Sequence, residues 1–277
     1  MEETAGSPFK MFTIPLEPAR AMIRTLMDRV FNIEVTGLEH IPMSGGGLIV
    51  CNHTDLIDVP VQAAHSPRKI VYFGKAELFE PEEELQRFLF QNGSPLHFVP
   101  GLALWKPVLA KILSFYADAL RTQMNEWGGR PIVRNFRGET AREAVEYYRE
   151  LEDYMVGLIK EGNLVSLYPE GTRTETGIMG PFKALAAKLA IRAQVPIIPT
   201  GITGSFGFFN PQSILSGRIF STKITYNVGK PIPPSEFPQG DEKKAAKELT
   251  AELEKQVYAL TLHPERRGHA RGKARVL

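Results

Sequence analysis

His53 and Asp58 are the residues whose types and spacing could move a proton. They lie in Asn52-His53-Thr54-Asp55-Leu56-Ile57-Asp58, with four residues between them. An imidazole changes charge near neutral pH, and an aspartate that folds back onto its Nδ1–H fixes the tautomer. Nε2 is then free to act as a general base. The residues before them, 47–51, are apolar and follow the turn Ser44-Gly45-Gly46, the pattern of a buried strand. A histidine at the carboxyl end of such a strand stands where open α/β sheets bind ligands. Asp55 and Asp58 equally suit the first turn of a helix running toward His65, where acidic residues meet the positive end of the helix dipole. The spacing alone is compatible with both roles.

A second block, Leu167-Tyr168-Pro169-Glu170-Gly171-Thr172-Arg173-Thr174, closes a short apolar strand over 164–168. Arg173 offers a planar fork that matches phosphate or carboxylate oxygens, Thr172 adds a hydroxyl, and Gly171 lets the backbone approach a ligand. Glu170 and Arg173 could instead form an ion pair with each other. Between the two blocks lies Gly128-Gly129-Arg130-Pro131-Ile132-Val133-Arg134, and beyond them Val195-Pro196-Ile197-Ile198-Pro199. With two prolines, the strand over 195–202 is expected to be irregular or at a sheet edge. No Gly-x-Ser-x-Gly elbow is present, so no serine nucleophile is indicated.

These four blocks, in this order across residues 36–202, resemble the glycerolipid acyltransferase family of 1-acylglycerol-3-phosphate acyltransferases and their relatives. That family carries Asn-His-x4-Asp, an apolar block with an arginine, Phe-Pro-Glu-Gly-Thr-Arg, and a Val-Pro-Ile-x-Pro block. The resemblance implies acyl transfer from acyl-CoA or acyl-carrier protein to the sn-2 hydroxyl of 1-acylglycerol 3-phosphate, giving phosphatidate. The alternative is the same chemistry on glycerol 3-phosphate, another lysophospholipid or a glycolipid. In this reading His53 is the base and Asp58 orients it. Glu170, Gly171, Thr172, Arg173, Arg134 and Lys75 then contact the substrates. Lys75 enters because Lys75-Ala76-Glu77-Leu78 is similar to the family's Lys-x-Glu-Leu segment, and Arg134 because it holds the place of the arginine in the second block. The chain departs from the pattern at Val133, where an acidic residue is common, and at Leu185, where glycine often follows the Phe-Lys pair. No cofactor is implied beyond the acyl donor, and the scattered histidines show no metal-ligand spacing.

Periodicity and composition supply the frame. Strands alternate with helices along the chain, which predicts an α/β fold with a mixed, largely parallel sheet flanked by helices. An amphipathic helix is predicted near the N-terminus, with Ala19, Met22, Ile23, Leu26, Met27 and Val30 on one face and Arg20, Arg24, Asp28 and Arg29 opposite. That face could pack on the domain or lie in a lipid surface. The division expected is 1–32 for the N-terminal helical segment, 33–262 for the acyltransferase domain, and 263–277 for a basic tail. Residues 82–127 read as an apolar helical insertion after the first block. It could serve as a lid, an acyl-chain tunnel wall, a membrane-resting surface or extra helices over the sheet. The 277 residues carry a formal net charge of +2, which gives no argument for nucleic acid. Cys51, the single cysteine, cannot form an internal disulfide and reads as a small buried residue. Neither a secretory signal nor an apolar stretch of membrane-spanning length is visible. From composition alone this reads as a soluble cytoplasmic enzyme; the resemblance implies a peripheral setting on the cytoplasmic face of a membrane, with lipid and acyl donor as partners. Oligomeric state is not readable.

Overall fold

The computed structural model describes residues 13–79, 102–133, 136–138, 140–261 and 275–276. They fall into two compact units, one built from residues 17–70 with 140–261 and 275–276, the other from 13–16 with 71–79, 102–133 and 136–138.

The larger unit begins with helix α1 (Leu16–Val30), then strand β1 (Asn32–Thr36), strand β2 (Gly47–Cys51) and helix α2 (Asp58–His65). The smaller unit takes up the chain with β3 (Ile70–Lys75), helix α3 (Leu102–Glu126) and β4 (Gly129–Ile132). Back in the larger unit come α4 (Ala141–Lys160), β5 (Leu164–Leu167), β6 (Ile178–Met179), α5 (Leu185–Ala193) and β7 (Ile197–Thr203). The short helices α6 (Pro211–Leu215) and α7 (Arg218–Ser221) precede β8 (Lys223–Val228), α8 (Glu242–Leu260) and β9 (Arg275–Val276).

In the larger unit the strands lie in the order β1-β8-β7-β2-β5. β2 runs parallel to both β5 and β7, β1 runs parallel to β8, and β7 and β8 are antiparallel; β6 and β9 form a separate antiparallel pair. Every residue of β2 and β7 is buried, as expected of central strands covered on both faces. Three helices supply part of that cover. α5 packs against α4 and α8, and α8 rests on β7. Two of these helices, α4 and α8, start on a capping side chain. Thr140 Oγ1 accepts the Glu143 N–H at 3.2 Å, and Asp241 Oδ2 accepts the Lys244 N–H at 3.1 Å.

β7 departs from the expectation of an edge strand. It lies inside the sheet, between β8 and β2. Pro199 is tolerated there because the ladder with β8 begins only at Thr200 opposite Val228. Its missing N–H therefore faces the place where β8 has already ended, and its carbonyl accepts the Gly229 N–H at 2.8 Å. The apolar face expected for α1 is also divided. Ala19 and Met27 are buried, whereas Met22 and Leu26 point outward. Arg20 pairs with Glu17 at 2.5 Å, and Asp28 accepts from His65 Nε2 at 2.9 Å, which ties α1 to α2.

In the smaller unit β3 and β4 pair in parallel. Gly129 stands so close to the Phe79 ring that a Cβ would come within 3.1 Å of it. The backbone of Ile14 is held by α3 and the residue after it: Gln123 bonds both its N–H and its carbonyl, and Trp127 Nε1 donates to the same carbonyl at 3.0 Å. Of the expected insertion, residues 82–101 lie outside the described residues and 102–126 form α3.

Gly204 joins β7 to the segment that leads to β8. Its φ is +83°, and a Cβ would come 1.9 Å from the Lys223 carbonyl oxygen. Gly204→Ala should therefore lower unfolding stability by about 2 kcal/mol or more, measured by denaturant titration. A loss under about 0.5 kcal/mol would show that the turn can relax.

Candidate active site

The larger unit brings both expected blocks to the carboxyl edge of its parallel strands. β2 ends at Cys51 and β5 at Leu167, and the two loops that follow are bonded to each other. The buried Asn52 side chain fixes the first loop, donating to the Ile202 carbonyl at 2.9 Å and accepting the Ile202 N–H at 2.8 Å. It thus acts as a strand residue inserted between β2 and β7.

His53 Nδ1 lies 2.9 Å from Asp58 Oδ2. The same oxygen accepts the N–H groups of Thr54 at 2.6 Å and Asp55 at 2.8 Å, and Thr54 Oγ1 donates to Oδ1 at 3.1 Å. The two sequence readings of Asp58 thereby merge. It is the first residue of α2, yet its carboxylate turns back to collect donors from the residues before the helix. The Asp58 side chain has no exposed surface, while His53 keeps 13% of its side chain accessible. With Nδ1–H donated to a buried carboxylate, the neutral imidazole carries its lone pair on Nε2.

Glu170 corrects the alternative of an ion pair with Arg173, since no such bridge forms. Its buried carboxylate accepts the His53 N–H at 2.8 Å on Oε1 and the Gly180 N–H at 2.7 Å on Oε2. The His53 carbonyl in turn accepts the Thr174 N–H at 3.0 Å. Both polar groups of the His53 backbone are therefore held by the second block. Tyr168 completes the setting, its ring stacked on the imidazole with centroids 4.1 Å apart. Burial pushes the Glu170 carboxyl up to about 7, against the opposing effect of the two N–H donors.

Gly171 takes a left-handed conformation at φ +77°, and its N–H closes a turn onto the Tyr168 carbonyl at 2.9 Å. Thr172 and Arg173 project from that turn into solvent, and the guanidinium has no protein partner among the described residues. The exposed Lys183 reaches back over the turn, with Nζ 2.5 Å from where a Gly171 Cβ would stand. This puts a second cation beside Arg173. Lys75 ends β3 in the smaller unit and is exposed. Arg134 lies outside the described residues. Cys51 is buried, which pushes its thiol pKa well up and leaves it inert.

Thr54, Ser205, Tyr168 and Lys183 were not singled out from the sequence. Thr54 Oγ1 meets Ser205 Oγ beyond β7, so the loop after β2 is bonded there to the loop after β7, as Glu170 bonds it to the loop after β5. Tyr168 and Lys183 have a local signal, each lying next to a motif residue. Ser205 has none, because 151 residues separate it from Thr54.

The acyltransferase family model matches residues 32–100 and 103–203. The chain belongs to the acyltransferase family. Among curated acyltransferases, it is 33% identical over 108 residues to the probable 1-acyl-sn-glycerol-3-phosphate acyltransferase of Mycoplasma pneumoniae, covering 37% of this chain and 40% of that one. It is 28% identical over 201 residues to human 1-acyl-sn-glycerol-3-phosphate acyltransferase alpha, 73% of this chain and 55% of that one. The matches thus span about half or less of these relatives' lengths. The crystal structure of the 1-acyl-sn-glycerophosphate acyltransferase PlsC from Thermotoga maritima superposes with a TM-score of 0.51 at 18% identity, covering 89% of this chain and 82% of that one. At that identity the superposition shows a shared fold.

The Glu170 environment makes a prediction for pH. The carboxyl is raised from an ordinary 4.5 to about 7, so between those values the native state keeps a proton that the unfolded chain has lost. Stability should fall as pH rises through this window. In Glu170→Gln that part of the pH dependence should disappear, whatever the substitution does to the absolute level. Thermal melts of both proteins from about pH 5 to pH 8 check it, and parallel curves would remove Glu170 as the source.

Proposed function

We propose that this acyltransferase moves a fatty acyl group from acyl-CoA or acyl-carrier protein to the sn-2 hydroxyl of 1-acylglycerol 3-phosphate. The product is phosphatidate. The observation that carries the reading is the pairing of His53 with a buried aspartate beside a loop that offers Arg173 to solvent. An alcohol is a poor nucleophile at neutral pH until a base takes its proton as the new bond forms. His53 Nε2 accepts that proton while the acceptor oxygen attacks the thioester carbonyl carbon. Asp58 holds the imidazole in place and stabilises the imidazolium that results. Collapse of the tetrahedral intermediate breaks the carbon–sulfur bond, and the proton on Nε2 can pass to the departing thiolate.

Glu170 acts in this scheme through the His53 backbone, fixing where the ring stands. Arg173 meets the acceptor phosphate, with Thr172 on the same turn and Lys183 reaching over it. Lys75 and Arg134 add positive charge at the acceptor, a role that rests on the family pattern alone. The curated relatives named above carry this activity in their names, which supports the phosphate-bearing acceptor. No described helix is long and apolar enough to cross a membrane. The reading places the lipid acceptor at a cytoplasmic membrane surface, on the family pattern alone.

The test is thiol release from palmitoyl-CoA by purified protein, with and without lysophosphatidate. Release should depend on acceptor and vanish in His53→Ala. Asp58→Asn should lower kcat by about 10³–10⁴-fold through loss of the correct tautomer. Arg173→Gln should raise the KM for lysophosphatidate by about tenfold or more and leave the KM for the donor nearly unchanged. Acceptor-independent release would instead make the protein a thioesterase.

A further inference from the structure

Five of the sixteen large apolar side chains exposed among the described residues fall within residues 206–220. They are Phe206, Phe209, Ile214, Leu215 and Phe220, and Leu215 is 88% accessible. This density sits in the β7–β8 connection, a segment for which neither the sequence motifs nor the reaction has a use. Single exposed leucines are common, but a run of this kind marks a contact surface. The segment is not loose. Phe208 is buried and packs edge-on against Phe31 at 5.1 Å, and Phe220 stacks on the same ring at 6.4 Å. Phe31 directly follows α1, so the segment is anchored on the end of that helix.

Its position relates it to the reaction. The connection starts at Gly204 and Ser205, and Ser205 Oγ meets Thr54 Oγ1, next to His53. Phe206 lies against Gly177, four residues beyond Arg173, where a Cβ would stand 3.0 Å from the ring. Resting on these contacts and on the lipid acceptor of the proposed function, we infer that residues 206–220 dock the protein onto an anionic bilayer, at the rim of the catalytic site.

Charge decides between this occupant and a second copy of the chain. Residues 204–223 contain no acidic side chain, and their charges are Arg218 and Lys223. Lys223 is paired to Glu34 at 2.5 Å, while Arg218 is exposed and its guanidinium has no partner among the described residues. A two-fold contact of the segment with itself would set cation against cation, with no carboxylate in the segment to meet them. Anionic headgroups meet Arg218 while the phenyl and leucyl side chains enter the acyl boundary.

The experiment is flotation of the full chain with phosphatidylcholine vesicles, with and without phosphatidylglycerol. Wild type is compared with Ile214→Ser/Leu215→Ser and with Arg218→Gln. The double variant should bind about tenfold or more weakly to anionic vesicles, with an unchanged melting temperature. Arg218→Gln should weaken binding about fivefold on anionic vesicles and have no effect on neutral ones. Unchanged flotation of the double variant would overturn the inference. So would an unchanged flotation accompanied by loss of a wild-type dimer in light scattering, which would make the patch a self-contact. Turnover of short-chain lysophosphatidate and acyl-CoA that stay monomeric in water is measured alongside. The serine variant should retain it, separating docking from chemistry. Absence of turnover in every form would overturn the acceptor reading, and the vesicle result would still judge the docking surface.

Discussion

The Asp58 carboxylate is the point on which the rest of the site depends. One buried oxygen takes the His53 ring nitrogen and two backbone N–H groups, and the other takes the Thr54 hydroxyl. A buried carboxylate without donors would be costly, and here the donors come from the very loop that carries the histidine. The charge therefore shapes the loop and orients the base in one arrangement. Removing it would leave the backbone of residues 54 and 55 without partners as well as freeing the imidazole. Structure and chemistry are not separable at this residue.

A second layer of constraint comes from Glu170. Its two oxygens span from His53 to Gly180, so the strand-end loops after β2 and β5 are fixed to each other and to the approach to α5. The turn that follows has its backbone committed to internal bonds and its cationic side chains turned outward. That division suits a site meeting a charged ligand. The rigid parts are buried, and the charged parts stay hydrated until something displaces the water.

Much of this was legible in the residues. The uninterrupted apolar run over 47–51 gave β2 away as a covered strand. The His53–Asp58 relation followed from spacing, because five positions are enough for a chain to fold back over one turn. Glu170 was legible as important and not in its role. Nothing local says that its oxygens face backbone N–H groups from residues 53 and 180. The place of β7 was misread because proline was weighed as a ladder breaker without knowing where β8 would end. The outward turn of Met22 and Leu26 was equally invisible, since helical periodicity defines a face and not the neighbour it meets. Ser205 shows the limit most plainly, for its partner is set by sheet order alone.

The joining of Thr54 to Ser205 has a consequence for synthesis of the protein. The base, its orienting acid and the arginine turn are all complete in sequence by residue 173, yet the loop that holds them is closed by a hydroxyl 151 residues after Thr54. Contacts of such sequence separation form late, after the loop entropy of the intervening chain has been overcome. A chain that has not yet delivered β7 carries His53, Asp58 and Arg173, but the loop between the first two lacks its anchors at Ile202 and Ser205. The local bonds of Asp58 orient the ring, and the far strand fixes where that oriented loop stands.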